Sequence, residues 1–407
     1  MFPPDVIDSL SFQVFLRLLF LSIASEGLYL LLAARSRVPP GASLLAHWYR
    51  PVRFEETPVF LGLWAALFIV YAVAVRATRD RSGRALFLFI FVTSSLFRSS
   101  LLLEKGGFAT GATEAFFHAA SPIRTAMEFM PGFEVIAAVL FDLGTLALMP
   151  SLLRALTLPA GLALVYGWNP LLIKEGAASG RLETIALFFL LLAFLLLLKK
   201  RSAASALLYG ASLAGPPFFW ATLPLAARAL GVRLVLSLLV AGLAWAFLAA
   251  TTPWAELLGW PPSSSLGGSL MPAVTTLARL FVTRDPLAAV FFCAGAWLFL
   301  ALARTAKLGP DGDGFPREAL VVLGGFLFLS PEVLPWAFVP IAGLAAFSAN
   351  PGWIVATATA PLTYLALGGG RWSFWLAFAQ YFPVFASLVF VALGTKRGRK
   401  RGPGKAK

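Results

Sequence analysis

The chain of 407 residues has one cysteine, Cys293, and two histidines, His47 and His118. A lone cysteine excludes an intramolecular disulfide and a cysteine-based metal site. Two histidines argue against a multi-histidine metal site. Charge is also scarce, at 13% of residues, about half the share of a soluble domain. No HExxH, Walker A, GxSxG or dinucleotide fingerprint stands in a suitable context. No cofactor and no metal are therefore expected.

Apolar residues fill that space. They make up 59% of the chain, and the mean hydropathy is +0.82. Apolar runs recur from Ser11 to Gly394, and a helix crossing a bilayer needs about 20 apolar residues. A transmembrane barrel would need alternating strands of about 10 residues, and no such alternation is present. The expected fold class is all-α: a polytopic helical integral membrane protein with roughly 11–13 transmembrane helices. The first apolar run is long and lacks a basic segment before it, so no cleavable signal peptide is expected. The net charge of +14 would suggest nucleic acid in a soluble protein. Here Lys and Arg sit in short loops between apolar runs, which is membrane patterning, and nucleic acid is not an expected partner.

The apolar runs place helices near 11–34, 57–75, 85–103, 133–150, 158–173 and 184–198, then 231–250, 286–303, 319–330, 335–348, 352–367 and 373–394. Between them, 202–230 is apolar with Pro216-Pro217 at its middle and basic residues at both ends. Proline breaks a helix and restrains the residue before it, so this segment reads as two half-helices or a re-entrant hairpin. With the hairpin, 20 of the 33 Lys and Arg fall on one face, at 76–84, 154, 199–201, 228–233, 304–317 and 396–407. The opposite face holds 11, and Arg17 and Arg98 lie within spans. Excess Lys and Arg marks the cytoplasm. Both termini are then cytoplasmic, and loops 35–56, 104–132, 174–183, 251–285 and 331–335 are outside.

Ionisable residues at membrane depth are costly unless paired or functional. Arg17 and Glu26 in the first helix read as a structural pair or as contacts to neighbouring helices, and Asp142 reads as structural. The DGDG run ending at Gly314 reads as a turn, because the later ligands of a calcium loop are absent. A polar junction that enters from one apolar run and exits into another is Tyr166–Thr184, YGWNPLLIKEGAASGRLET, with Trp168, Asn169, Pro170, Lys174, Glu175, Arg181 and Glu183. It is either a solvated loop with snorkelling ends or half of a site facing one side of a membrane.

WNP, a small-residue stretch and then SGRLE resemble a signature of the membrane-embedded mannosyltransferases of the GT-C superfold. In that signature an aromatic-Asn-Pro precedes a Gly, one or two polar residues and an acid. Glu183 falls on the acid, and Arg181-Leu182 replaces the usual His/Asn pair. LSPEVLPW, residues 329–336, resembles the LSP-x-x-HPWY segment near the end of these enzymes, with Leu334 for the histidine and Ala337 for the tyrosine. In loop 104–132, the run Gly111–His118 is nearest to the acid-bearing first outer loop, with Glu114 on the acid and Glu104 as a rival. The resemblance implies an added two-helix membrane hairpin at 1–83, a GT-C-like transmembrane domain at 84–395 and a basic cytoplasmic tail at 396–407.

The resemblance also implies inverting transfer of a hexose, mannose first, from a polyprenyl-phosphate donor on the outer face. Such a reaction needs a carboxylate to take the acceptor proton and Arg or Lys to hold phosphate. The candidates are Glu114 and Glu183 for catalysis, and Trp168, Asn169, Lys174, Arg181, Arg124, His118 and Trp336 for substrate binding. Trp336 has a second reading as an interface anchor. The expected partners are a lipid-linked sugar donor and membrane lipids, and the expected location is the bacterial inner membrane. Two other functions stay open. A transporter or flippase is suggested by the broken segment at Pro216. A non-catalytic membrane subunit is suggested by the replaced polar positions.

Overall fold

The structure, a computed structural model, describes residues 12–35, 57–103, 133–177, 180–251, 286–309, 312–330, 333–348, 350–363 and 374–400. Among the described residues every regular element is helical. Four stretches are long and apolar enough to cross a bilayer: Phe12–Leu31, Val59–Thr78, Val135–Ala155 and Phe218–Ala246. Their outward faces carry Phe20, Ile23, Ile69, Leu140 and Leu243, all exposed. A helix satisfies its own backbone, so such faces suit lipid. The protein is an all-α membrane protein. Among the described residues, length and composition alone single out these four stretches, against the roughly 11–13 spans expected from the sequence.

The first helices are α1 (Phe12–Arg35), α2 (Thr57–Thr78), α3 (Arg84–Leu103) and α4 (Phe133–Ala155). Ring contacts Phe15–Phe89 and Tyr29–Phe97 show that α1 and α3 run in parallel. The α1–α2 hairpin is fastened to later parts of the chain. Trp64 Nε1 donates to the carbonyl of Ala358 at 2.9 Å, and the Tyr71 hydroxyl donates to that of Val165 at 2.9 Å. Gly161 N donates to the carbonyl of Arg81 at 2.8 Å. A Cβ at Gly161 would lie 1.9 Å from the Thr78 carbonyl oxygen, so only glycine permits this approach.

The expected helix at 158–173 is not continuous. A short α5 (Ala163–Gly167) ends at Trp168 and Asn169, and a single π-helical turn, Leu172–Ala177, follows. The cause is local. Pro170 has no N–H to continue the first helix. The Asn169 side-chain oxygen accepts from Leu171 N at 3.0 Å, so asparagine caps the next turn with proline in its first position.

Next comes α6 (Leu182–Leu198), parallel to α4: Gly180 lies against Val135, and Phe188 against Phe141. Then α7 (Ser202–Leu213) runs back. At Pro216 the chain breaks, and a 3-10 turn, Pro217–Thr222, leads into α8 (Leu223–Leu230). Tyr209 and Thr222 hydroxyls hydrogen-bond at 2.8 Å, and Arg228 Nε donates to the Leu308 carbonyl at 2.9 Å. Leu197 and Ala229 both border Gly312. The segment 202–230 therefore folds back on itself as a helical hairpin, as the proline pair leads one to expect. A turn at Gly231, with φ 57, then starts α9 (Leu234–Thr251) alongside α7, where Ser237 Oγ donates to the Ala206 carbonyl at 2.7 Å. The apolar stretch Phe218–Ala246 is thus bent at Gly231.

The remaining helices are α10 (Pro286–Lys307), α11 (Phe315–Leu329), α12 (Val339–Ala345), α13 (Pro351–Thr359) and α14 (Phe374–Lys400). Arg304 pairs with Glu318 at 3.4 Å where α10 turns into α11. The packing defines two ends. Arg81, Arg228 and Arg304 lie at one, the basic end. The π turn, Gly180 and the Pro335–Phe338 turn lie at the other.

Candidate functional site

Two polar groupings stand out inside the helices. The first lies at mid-depth. Asp142 accepts hydrogen bonds from Arg98 Nε and from the Tyr166 hydroxyl, and both charged side chains are wholly buried. Arg98 Nη1 also donates to the carbonyls of Ser94 at 3.0 Å and Gly167 at 2.9 Å. An ion pair this deep is held by complementary partners, and removing one partner strands the other. The grouping ties α3, α4 and α5 together. Arg17 is exposed on α1, and Glu26 is half-buried about two and a half helical turns away on the same helix. Nine residues of helix span about 13.5 Å, so these two do not pair with each other.

The second grouping lies at the end opposite the basic one and contains most of the described site candidates. The π turn carries Lys174, Glu175 and Gly176. Lys174 and Glu175 form an ion pair in which the acid is fully buried and the lysine is 12% exposed. The chain closes back through Arg181 N, which donates to the Gly176 carbonyl at 3.2 Å. Gly180 takes φ 62 at this reversal, a left-handed conformation that glycine adopts without strain. Arg181 precedes α6, and its guanidinium lies 3.8 Å from the centre of the Trp336 ring. Glu183 is buried in the first turn of α6, within electrostatic reach of Arg181 and Glu175. An acid there complements the positive end of the helix dipole. Beside it, Thr184 is fully buried, and its hydroxyl has no hydrogen-bond partner among the described residues.

The structure thus brings together Lys174, Arg181, Glu183 and Trp336. It places Trp168 and Asn169 differently. Trp168 is buried, donates from Nε1 to Thr93 Oγ1 at 2.8 Å and packs against Phe97. Asn169 is fully buried, with Nδ2 donating to Tyr71 at 3.4 Å and to Thr357 at 3.3 Å. Their polar atoms serve α2, α3 and α13. Glu114, His118 and Arg124 lie outside the described residues.

Glu175 is the acid that site reasoning from sequence passed over. Its signal was present, a Lys-Glu dipeptide inside an apolar run. Among the described residues no three of His, Cys, Asp and Glu are grouped to hold a metal ion. Chemically the cluster offers two cations for phosphate oxygens, two carboxylates for hydroxyls, and an indole. It is built around a π turn, an element often found at functional sites. No family model, curated protein or solved structure matches this chain.

Proposed function

We propose that the chain is a membrane glycosyltransferase that moves a hexose, mannose first, from a polyprenyl-phosphate donor to an acceptor hydroxyl. One observation carries the reading. The two sequence stretches that resemble GT-C mannosyltransferases, WNP…SGRLE and LSPEVLPW, are far apart in the chain, yet Arg181 of one stacks on Trp336 of the other.

In this reading Lys174 and Arg181 hold the donor phosphate, where Arg offers a planar fork and Lys a point charge. Glu183 accepts a hydrogen bond from a substrate hydroxyl, and Trp336 packs against the sugar or the lipid. A carboxylate from the 104–132 loop, Glu114, takes the acceptor proton. The acceptor oxygen bonds to the anomeric carbon as the bond from that carbon to the phosphate oxygen breaks. Polyprenyl phosphate leaves, and the configuration inverts. In this reading the site faces outward from a bacterial inner membrane with both termini cytoplasmic, an orientation supported by the Lys/Arg asymmetry.

One observation favours a second reading, a non-catalytic membrane subunit: Arg181 stands where the enzymes carry a polar pair, and its guanidinium is already engaged by Trp336. Purified protein in liposomes, given radiolabelled polyprenyl-phosphate mannose and a membrane lipid extract, separates the possibilities. Label appearing in a new product supports the transferase. Label crossing the bilayer without chemical change supports a flippase, and neither outcome supports the subunit.

A further inference from the structure

Among the described residues, five buried threonines in helical turns follow one rule. The hydroxyls of Thr78, Thr93, Thr145, Thr222 and Thr357 each donate to, or lie within hydrogen-bond reach of, a carbonyl three or four residues earlier. Thr363 donates to Gln380. Thr184 is fully buried and has no partner among the described residues. Its position explains why back-bonding fails. Thr184 is the third residue of α6, so the residue four before it, Gly180, lies outside the helix at φ 62. The start of α6 also lacks a side-chain cap, because Arg181 makes no capping bond. Buried polar groups are nearly always satisfied, and one left open beside two carboxylates and two cations points to a ligand.

The space the hydroxyl faces is defined by Gly176 of the π turn. A Cβ at Gly176 would lie 2.9 Å from Thr184 Oγ1, with Leu172 and Val339 at 3.9 Å. Glycine therefore keeps a notch clear in front of the hydroxyl. The ligand group that suits the notch is neutral. Glu183 adjoins Thr184 in the chain and Glu175 adjoins Gly176, so an anion would meet two carboxylates there. A hydroxyl can donate to a carboxylate and exchange a hydrogen bond with threonine.

We infer that Thr184 recognises one hydroxyl of the transferred sugar, which enters the Gly176 notch as the π turn Leu172–Ala177 shifts. The inference rests on the transferase reading above and names the group within that site that selects the sugar. A site that hydrogen-bonds a substrate hydroxyl discriminates against the analogue lacking it.

The test is a binding titration in detergent with two probes, polyprenyl-phosphate mannose and sugar-free polyprenyl phosphate. Thr184→Val should weaken the mannosyl lipid about tenfold, the scale of one neutral hydrogen bond, and leave the sugar-free lipid unchanged. Thr184→Ser should restore binding. Gly176→Ala, which fills the notch and removes no polar group, should weaken the mannosyl lipid as well. One monodeoxy mannosyl lipid should bind wild type about tenfold more weakly and lose nothing further in Thr184→Val. Thr184→Val binding both probes as wild type, or losing both equally, overturns the subsite and leaves the transferase reading standing. Wild type binding neither probe overturns the transferase reading and the subsite together.

Discussion

The guanidinium of Arg181 lies 3.8 Å from the centre of the Trp336 ring, joining the start of α6 to the turn before α12. A desolvated cation–π contact is worth about 2 kcal/mol, against about 0.5–1 kcal/mol for an exposed one. Arg181 is 5% exposed, which places this contact toward the upper end. Trp336→Ala is expected to lower thermal stability in detergent by about 1–2 kcal/mol. Trp336→Phe should recover part of that loss, because phenylalanine keeps an aromatic face. Equal melting of wild type and Trp336→Ala would show that the contact contributes nothing.

The Arg98–Asp142 pair makes a sharper stability prediction. Both side chains are wholly buried, so losing one partner leaves a bare charge. Asp142→Ala is expected to destabilise by about 3–5 kcal/mol. Replacing both partners with apolar residues of similar size, Arg98→Met with Asp142→Leu, should recover much of that loss. A double-mutant cycle read by unfolding measures the coupling. Additive single effects would exclude a stabilising pair.

Asn169 is expected to behave as a structural residue. Asn169→Ala removes a helix cap worth about 1 kcal/mol and leaves the buried hydroxyls of Tyr71 and Thr357 without its amide. The predicted signature is lower stability with little change in donor KM in the molecules that stay folded. A large rise in KM at unchanged stability would return Asn169 to the substrate site.

Much of the architecture was legible in the sequence because its causes are local. Apolar runs located α1 to α4 to within a few residues, and Pro216-Pro217 marked the fold-back because proline acts on its own turn. The break at Asn169-Pro170 was harder to see. It lies within an apolar run, and its cap is a side-chain bond to Leu171 N. The pairing of Arg98 with Asp142 was not legible at all. The sequence shows one arginine and one acid at membrane depth, and only helix packing decides that they meet. For the same reason Glu175 and Thr184 carried no weight until the π turn and α6 were brought together. Lys174, Arg181, Glu183 and Trp336 were found by motif, and their convergence depends on the return of α12 to that end.

Orientation can be tested with one cysteine at a time in a Cys293→Ala background. Gly180 is a poor labelling site, since its φ of 62 and a Cβ 3.2 Å from the Val135 backbone would strain any side chain. Ser264→Cys, in the 251–285 loop, is expected to react with a membrane-impermeant maleimide on intact cells. Asp80→Cys, highly exposed at the basic end, should react only after permeabilisation. The reverse pattern would invert the topology and put the Arg181–Trp336 site on the cytoplasmic face.

The central claim is that the cluster at the end opposite the basic one transfers a sugar from a lipid phosphate. The most direct measurement is the steady-state rate of mannose transfer from polyprenyl-phosphate mannose by purified wild type, Glu183→Gln and Glu114→Gln, each checked for folding by thermal unfolding. The account predicts transfer by wild type and a donor KM about tenfold higher in Glu183→Gln, the scale of one lost hydrogen bond. Losing the general base in Glu114→Gln should reduce the rate by about 10²–10⁴. Folded wild-type protein that transfers nothing, or a Glu183→Gln variant with wild-type kinetics, would contradict it.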